Sequence, residues 1–536
     1  MSAPILDART LAAREWDLLV VGGGITGAGI LLEAARRGLR ALLVEQRDFA
    51  WGTSSRSSKL VHGGLRYLAE GQLRLTRESV REREALLREA PGLVEPQGFA
   101  FADHGAGWAQ RLGFLAVLRV YDRLAGRREP HWESADGFAM LAPNVRREGL
   151  LGGVRYTDAK TDDARLVLRV LDEARSHGAA ALNYVAVRGL VREGARVMGA
   201  RLLDERSGQE HAVRARVVVN ASGAWAGALA GALTGNGAGP RLRPLRGSHL
   251  ILPSWRLPLA QAVSLRHPED RRPVFAFPWE GATLVGTTDV DHGEGLHLEA
   301  RITRAEFDYL MAALRAAFPQ LSLHDEDVIA TYAGVRPVID GGSHGAPSKE
   351  KREHVVWSEP GLVSVTGGKL TTFRAIALDT LRHALPQLPG WRPDLAPQPV
   401  FAPVPLPVSR LLPAGVLRRL AGRYGASAQD LVDAAGEGEL DPIPGTCTLW
   451  AELRWAARAE QVRALGDLLL RRTRLGILLP KGGAAHLERV RAICQPELGW
   501  SDDEWLAEQA AYMASWRECH GIPAASSSPE HRCLTR

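Results

Sequence analysis

Hydrophobic positions change their period several times along the chain, and each change marks an element. In "WDLLVVGGGITGAGILLEAARRGLRALLVEQRD" (16–48), an unbroken apolar run at Leu18–Val21 is the length of a buried strand, and a glycine turn follows it. An Ala/Leu-rich stretch then predicts a helix ending near Gly38, and a second apolar run predicts a strand over Ala41–Glu45, which completes a βαβ unit. Two later segments have the same character. "ARVVVNASGAWAGAL" (215–229) is a strand running into a small-residue turn, and "GLVSVTGGKLTTFRAIALDTL" (361–381) is a strand, a glycine turn and a helix. Between them, 246–290 alternates short β-rich runs ("HLILP", "VFAFPW", "ATLVGTTD") with Pro and Gly turns, the pattern of an antiparallel sheet. Seven prolines between Pro393 and Pro413 predict a stiff, extended connector. Beyond it helical periodicity continues to about residue 520, and the final "AASSSPEHRCLTR" reads as a frayed tail.

The expected class is therefore α/β, with a Rossmann-like nucleotide domain, an inserted antiparallel-sheet substrate domain and an all-helical C-terminal domain. The nucleotide domain is discontinuous over 1–100, 150–245 and 330–392. The insertions are 101–149 and 246–329, the linker is 393–413 and the helical domain is 414–536.

Composition narrows the classes without choosing one. A chain of 536 residues, 45% hydrophobic and 24% charged, is neither disordered nor fibrous. Its 67 basic and 61 acidic residues leave a modest excess that does not call for nucleic acid. The cysteines, Cys447, Cys494, Cys519 and Cys533, lack metal-ligand spacing, so no metal is expected and a reducing compartment fits. The first fifteen residues lack a secretory signal, and the longest apolar stretch is too short to span a bilayer.

Gly22, Gly24 and Gly27 fit the G-x-G-x-x-G fingerprint: one permits a tight turn, one admits a pyrophosphate to the backbone, and one lets helix and strand pack closely. Glu45 ends the next strand, where a carboxylate accepts ribose hydroxyls. The chain then supplies "SSRSSKLVHGGLRYL" (54–68) in place of a further NAD-type unit, which favours FAD. Thr53, Ser54 and Ser58 are candidate donors to the cofactor, with Arg56 and Lys59 balancing its charge. Ser55 and Ser57 read equally as positions of a solvated surface loop.

The chain resembles the FAD-dependent glycerol-3-phosphate dehydrogenases, within the flavoproteins shaped like D-amino-acid oxidase. The resemblance is carried by 20–39, "TSSRSSKLVHGGLRYL", "YTDAKTDDARLVL", "VVNASGAWA", "RGSHLILP", "TYAGVRP", "TGGKLTTFR" and the tail's "RRTRLG", in the family's order. Leu31, Glu33 and Phe373 depart from the residues usual there, Ala, Asp and Tyr. It implies oxidation of sn-glycerol 3-phosphate to dihydroxyacetone phosphate by hydride transfer to flavin N5, with electrons passed to a membrane quinone. It further implies Arg66, Tyr67, Arg336, Arg352, Lys369 and Thr372 at the substrate, and His62, Gly223 and Gly368 at the flavin. Phosphate recognition suits clustered guanidinium and ammonium groups. His249 is the candidate base, since imidazole suits an alcohol proton near neutral pH. Arg336 and Lys369 join it as catalytic candidates, and a loop cation at Arg352 is the alternative to its role.

Helix "WAQRLGFLAVLRVYDRL" (108–124) aligns Phe114, Val117, Leu118, Tyr121 and Leu124 opposite Arg111, Arg119 and Arg123. Packing on the core is one explanation; an anionic lipid surface is the other, and the need to meet a quinone favours it. The expected location is cytoplasmic, peripheral on the inner face of the cell membrane. An oxidase producing hydrogen peroxide and a non-catalytic FAD-binding module are the alternatives. Oligomeric state is left open, a homodimer included.

Overall fold

Glu15–Val21 is buried along almost its whole length and pairs in parallel with Glu210–Asn220 on one side and Ala41–Val44 on the other. The computed structural model describes residues 8–105, 108–126, 131–227, 229, 231, 240–340 and 353–524, with backbone alone at 66 and 108–110. Leu362–Gly367 and Ala180–Leu182 extend the parallel core to either side, in the order 362–367, 210–220, 15–21, 41–44, 180–182. His354–Glu359, Arg196–Asp204 and Val185–Glu193 add antiparallel pairings, giving eight strands. Helix Ile25–Ala35 lies against this sheet, and a Cβ on Gly27 would clash with the Gly22 carbonyl oxygen, so glycine sets their separation. Phe373 is buried with its ring against Gly29. The departure from Tyr at 373 therefore falls at a contact between two helices. Glu33, another departure, is buried and paired with Arg36 and Arg37.

The second sheet has ten strands and reaches past the insertions expected for it. Leu242–Pro253 pairs with both Ala282–Gly286 and Ala330–Ile339, while Val94–Asp103 and Gly152–Thr161 form a long antiparallel ladder at its other end. Residues 94–103, 152–161 and 330–339 thus belong here. An apolar run reveals a strand but not the sheet it joins.

The helical domain is built on Ala414–Tyr424, Trp450–Ala459, Leu487–Leu498 and Asp502–Cys519. Its Trp450, Leu469, Trp505 and Trp516 share one apolar core with Phe277, Trp279 and Tyr332 of the second sheet. The proline-rich connector is a strap, not a spacer. Arg36 donates to Pro399 O (2.7 Å), Arg37 to Asp394 O (2.8 Å) and Trp391 to Arg37 O (3.0 Å), and Val400 and Phe401 are buried.

The apolar face of helix Trp108–Leu124 is turned inward. Leu118 and Tyr121 are buried, Phe114 and Leu124 pack against the same core, and the Tyr121 hydroxyl donates to Asp158 (3.1 Å). The face offered to lipid by the sequence pattern is thereby used up, because a helix covering a sheet needs the same apolar stripe.

Buried ion pairs join the helical domain to the loop after Ala41–Val44 and to the start of helix Asp163–Ser176. Asp48 accepts from Arg471 Nε (2.5 Å) and Arg472 Nη1 (2.6 Å), Arg165 pairs with Glu460, and Arg423 Nη2 donates to Asp162 (2.7 Å). Burial raises the Asp48 pKa, and the Arg472 and Arg471 guanidinium groups more than reverse this, leaving the carboxyl below its usual range. Such a group stabilises the fold above its ordinary pKa, and the contribution is lost as pH falls through the lowered value. The unfolding temperature is therefore expected to drop between about pH 4 and pH 2. Asp48→Asn should show a flatter slope there in calorimetry, and equal slopes would exclude Asp48 as the titrating group.

Candidate active site

Four turns follow the carboxyl ends of neighbouring parallel strands: 22–24, 45–48, 221–225 and 367–372. This is the crevice in which open α/β sheets bind nucleotides. Gly22 has φ of 115° and abuts Ala221 O, so only glycine turns the chain here. Gly24 is the N-cap of Ile25–Ala35, and its helix presents backbone N–H groups and the positive dipole end. The Ser54 Oγ accepts from Ile25 N (3.0 Å), which places the hydroxyl loop at this helix end. Glu45 accepts from Gly23 N (2.7 Å) and Arg47 N (2.9 Å). Burial raises its pKa, those two donors oppose the rise, and a carboxylate has acceptor capacity for ribose hydroxyls besides. At the other end of the crevice Thr366 Oγ1 donates to Gly223 O (2.9 Å), and Gly367 and Gly368 have φ of 79° and 81°. Helix Phe373–Ala384 starts just beyond them. Donor turns at one end, a buried carboxylate and a second helix start fit an extended dinucleotide such as FAD.

Residues 53–67 thread this crevice to the second sheet. Thr53 Oγ1 donates to Val335 O (2.5 Å), Ser58 Oγ lies 2.9 Å from His249 Nε2, and Thr371 Oγ1 donates to His62 O (3.3 Å). Several cations and serines of the loop do other work than expected. Lys59 is fully buried on Asp163 (2.8 Å) and Ser55 O (2.5 Å), and Arg56 pairs with Glu299, so each charge expected to balance the cofactor is matched within the protein. Ser55 is buried, and half-buried Ser57 donates its hydroxyl to Asp163 (2.7 Å), so neither is a free position of a solvated loop.

His249 and Arg336 stand on adjacent antiparallel strands, His249 opposite Tyr332 and Arg336 opposite Leu245. Glycine makes room for both. A Cβ on Gly286 would clash with the imidazole and one on Gly247 with the guanidinium. The His249 ring stacks on Tyr332 at 4.6 Å and 11°, and its Nδ1 has no partner among the described residues. Burial, with Arg336 and Lys59 nearby, holds its pKa well below the ordinary imidazole value, so the ring is neutral at pH 7. Arg336 donates to Asp289 Oδ1 (2.8 Å) and Thr287 Oγ1 (3.1 Å). Lys369 Nζ sits 3.6 Å over the Tyr67 ring and 3.4 Å from Ser79 Oγ, and Thr372 is buried one helical step away. The Arg66 side chain and all of Arg352 lie outside the described residues.

Sequence reasoning missed Tyr332 and Asp289. Tyr332 was within reach: it precedes Arg336 by four on one strand and so shares its face. Asp289 follows Thr287 and Thr288 in a turn, and nothing local marks it as the partner of an arginine 47 residues on.

A dinucleotide crevice at one sheet and a buried imidazole and guanidinium at the other define a FAD-dependent oxidoreductase. Residues 17–374 match the family model of FAD dependent oxidoreductases, and residues 401–505 match the C-terminal domain of alpha-glycerophosphate oxidase. Glycerol-3-phosphate dehydrogenase 2 of Mycobacterium tuberculosis is 36% identical over 94% of this chain and 89% of its own length. The aerobic glycerol-3-phosphate dehydrogenase of Staphylococcus epidermidis is 35% identical over 87% and 88%. The chain belongs to the FAD-dependent glycerol-3-phosphate dehydrogenase family. The solved structure of the Bacillus halodurans glycerol-3-phosphate dehydrogenase complexed with FAD superposes with a TM-score of 0.74 at 27% identity, covering 97% of each chain. L-alpha-glycerophosphate oxidase of Mycoplasma pneumoniae shares the fold, at a TM-score of 0.56 and 18% identity over 73% of this chain and 99% of that one.

Proposed function

We propose that this enzyme oxidises sn-glycerol 3-phosphate to dihydroxyacetone phosphate and delivers the electrons to a membrane quinone. The observation that carries the reading is the placement of a neutral, buried His249 beside Arg336, with Ser58 linking the imidazole to the loop that reaches the nucleotide turn. Bound FAD supplies the hydride acceptor, N5 of its flavin. Arg336, oriented by Asp289, anchors the substrate phosphate together with Lys369, Arg66 and Arg352, and Tyr67 and Thr372 help orient it. His249 gives its Nε2 proton to the Ser58 hydroxyl as a hydrogen bond and takes the substrate's hydroxyl proton at Nδ1. The carbinol carbon thus loses a hydride and its oxygen a proton, which leaves the ketone. Gly22, Gly24, Gly27, Glu45, Thr53 and Ser54 hold the nucleotide half of FAD, and Ser58, His62, Gly223 and Gly368 the flavin half.

The enzyme works as a peripheral protein on the inner face of the cell membrane. No helix among the described residues is long and apolar enough to cross a bilayer. Support for a docking face comes from Leu112 and Val120, 56% and 47% exposed, near the exposed cations Arg119 and Arg123 on the same helix. Anaerobic reduction followed by mixing with either acceptor tests both parts. Glycerol 3-phosphate should bleach the oxidised-flavin band, and quinone in anionic vesicles should restore it faster than oxygen does. No bleaching would favour a non-catalytic module; reoxidation by oxygen alone, with peroxide formed, would favour an oxidase.

A further inference from the structure

Segment 45–59 carries Glu45, Ser54 and Ser58, yet its own sequence does not fix its path. Ala50 and Lys59 both adopt left-handed backbone conformations, φ of 60° and 57°, which side-chain-bearing residues hold only when their surroundings impose it. Part of those surroundings belongs to the nucleotide domain, Gly23 O accepting from Ala50 N (2.9 Å) and Asp163 from Lys59 Nζ (2.8 Å), and part comes from the helical domain. Asp48 is gripped by Arg471 and Arg472, the latter through Nη1 (2.6 Å) and Nη2 (2.9 Å). Seven residues on, Ser55 O accepts from Arg474 Nη2 (3.1 Å) and Lys59 Nζ. Arg474 is itself anchored: Nη1 donates to Leu470 O (2.7 Å), Nε to Asp162 Oδ1 (3.0 Å), and Nη2 also pairs with Asp163. The two grips lie on either side of the turn that brings Ser54 to the helix start. Next to them the domains are parted by a cleft of about 470 Å³, lined by Arg47, Trp51 and Tyr184 on one side and Leu470 and Tyr512 on the other. Tyr184 to Asp467 (2.8 Å) and Asn183 to Gln461 O (3.0 Å) also bridge the domains here, but among these contacts the guanidinium groups are the ones that hold the loop itself.

We propose that Arg474, with Arg471 and Arg472, is a positioning element by which the helical domain fixes loop 45–59, so that FAD affinity depends on arginines that do not touch the cofactor. The proposal rests on FAD binding at the glycine turn. When only a fraction of molecules hold the loop in place, the apparent Kd rises by the inverse of that fraction.

The test is an FAD titration, by flavin fluorescence, of full-length protein stripped of cofactor. Arg474→Met is expected to raise the FAD Kd at least about tenfold. Arg454→Met, whose partners Glu439 and Glu497 belong to the helical domain itself, should change it by less than about twofold. In FAD-saturated Arg474→Met the KM for glycerol 3-phosphate should likewise stay within about twofold, since the defect lies in the loop's population. Wild-type affinity in Arg474→Met, or an equal loss in Arg454→Met, would overturn the proposal. If Arg474→Met does not fold, Arg474→Lys decides. It keeps the charge but loses the planar fork that spans Asp162, Leu470 O and Ser55 O, so an intermediate rise in Kd supports the clamp and an unchanged Kd rejects it. Stripped wild-type protein that takes up no FAD would mark failure of the cofactor site, a result distinct from failure of the clamp.

Discussion

His249→Ala is expected to lower kcat/KM for glycerol 3-phosphate by about 10²–10⁴-fold, the range a positioned general base contributes. The pH dependence makes the result specific. Burial beside Arg336 and Lys59 keeps the imidazole neutral well below its ordinary pKa of about 6.5, so the acid limb of the wild-type profile should fall on the acid side of that value. In the alanine variant that limb should vanish, while the flavin spectrum and cofactor content stay unchanged. Stopped-flow bleaching under anaerobic conditions reads the step directly. Bleaching at the wild-type rate with an unaltered pH profile would remove His249 from the proton transfer and redirect attention to His62.

Arg336→Met should cost about 2–5 kcal/mol in kcat/KM, roughly 30- to several-thousand-fold, because the substrate phosphate would lose a charged partner in a largely buried setting. Two further effects separate anchoring from general damage. Arg336→Lys should recover only part of the loss, since an ammonium group is a point charge without the guanidinium fork. Preference for glycerol 3-phosphate over unphosphorylated glycerol should also narrow in Arg336→Met if, as proposed, the arginine acts on the phosphate alone. Steady-state kinetics with both alcohols would show it, and an unchanged preference would place the phosphate elsewhere. Asp289→Asn, which leaves the guanidinium in place but weakens its hold (2.8 Å), should give a smaller change in the same direction.

How much of this was legible in the sequence depends on whether a residue's reason for being there is local. Gly22, Gly24, Gly27 and Glu45 could be read directly, since a turn, a helix start and a strand end are satisfied within one βαβ unit. Residues 94–100 read as part of the nucleotide domain because nothing local in "VEPQGFAFAD" signals the pairing with Gly152–Thr161. Lys59 read as a counter-charge to the cofactor because its partner Asp163 lies 104 residues away. Helix Trp108–Leu124 shows the limit from the other side, since an apolar stripe looks the same whether it meets lipid or Tyr156, and only the fold decides. The signal for the domain joint was present but unpaired. "TDD" at 161–163 and "RRTR" at 471–474 are complementary in charge, yet nothing in a single chain says that they meet.

The grip of Arg472 on Asp48 closes a span of 424 residues. During synthesis the glycine turn, Glu45 and Ser54 leave the ribosome early, while the guanidinium groups that grip the loop between them emerge more than 400 residues later. A nascent chain ending in the proline-rich strap thus carries all the residues proposed to hold the nucleotide and lacks the arginines that grip the loop. If the clamp acts as proposed, cofactor uptake by the growing chain is expected to lag until residues 471–474 have been made.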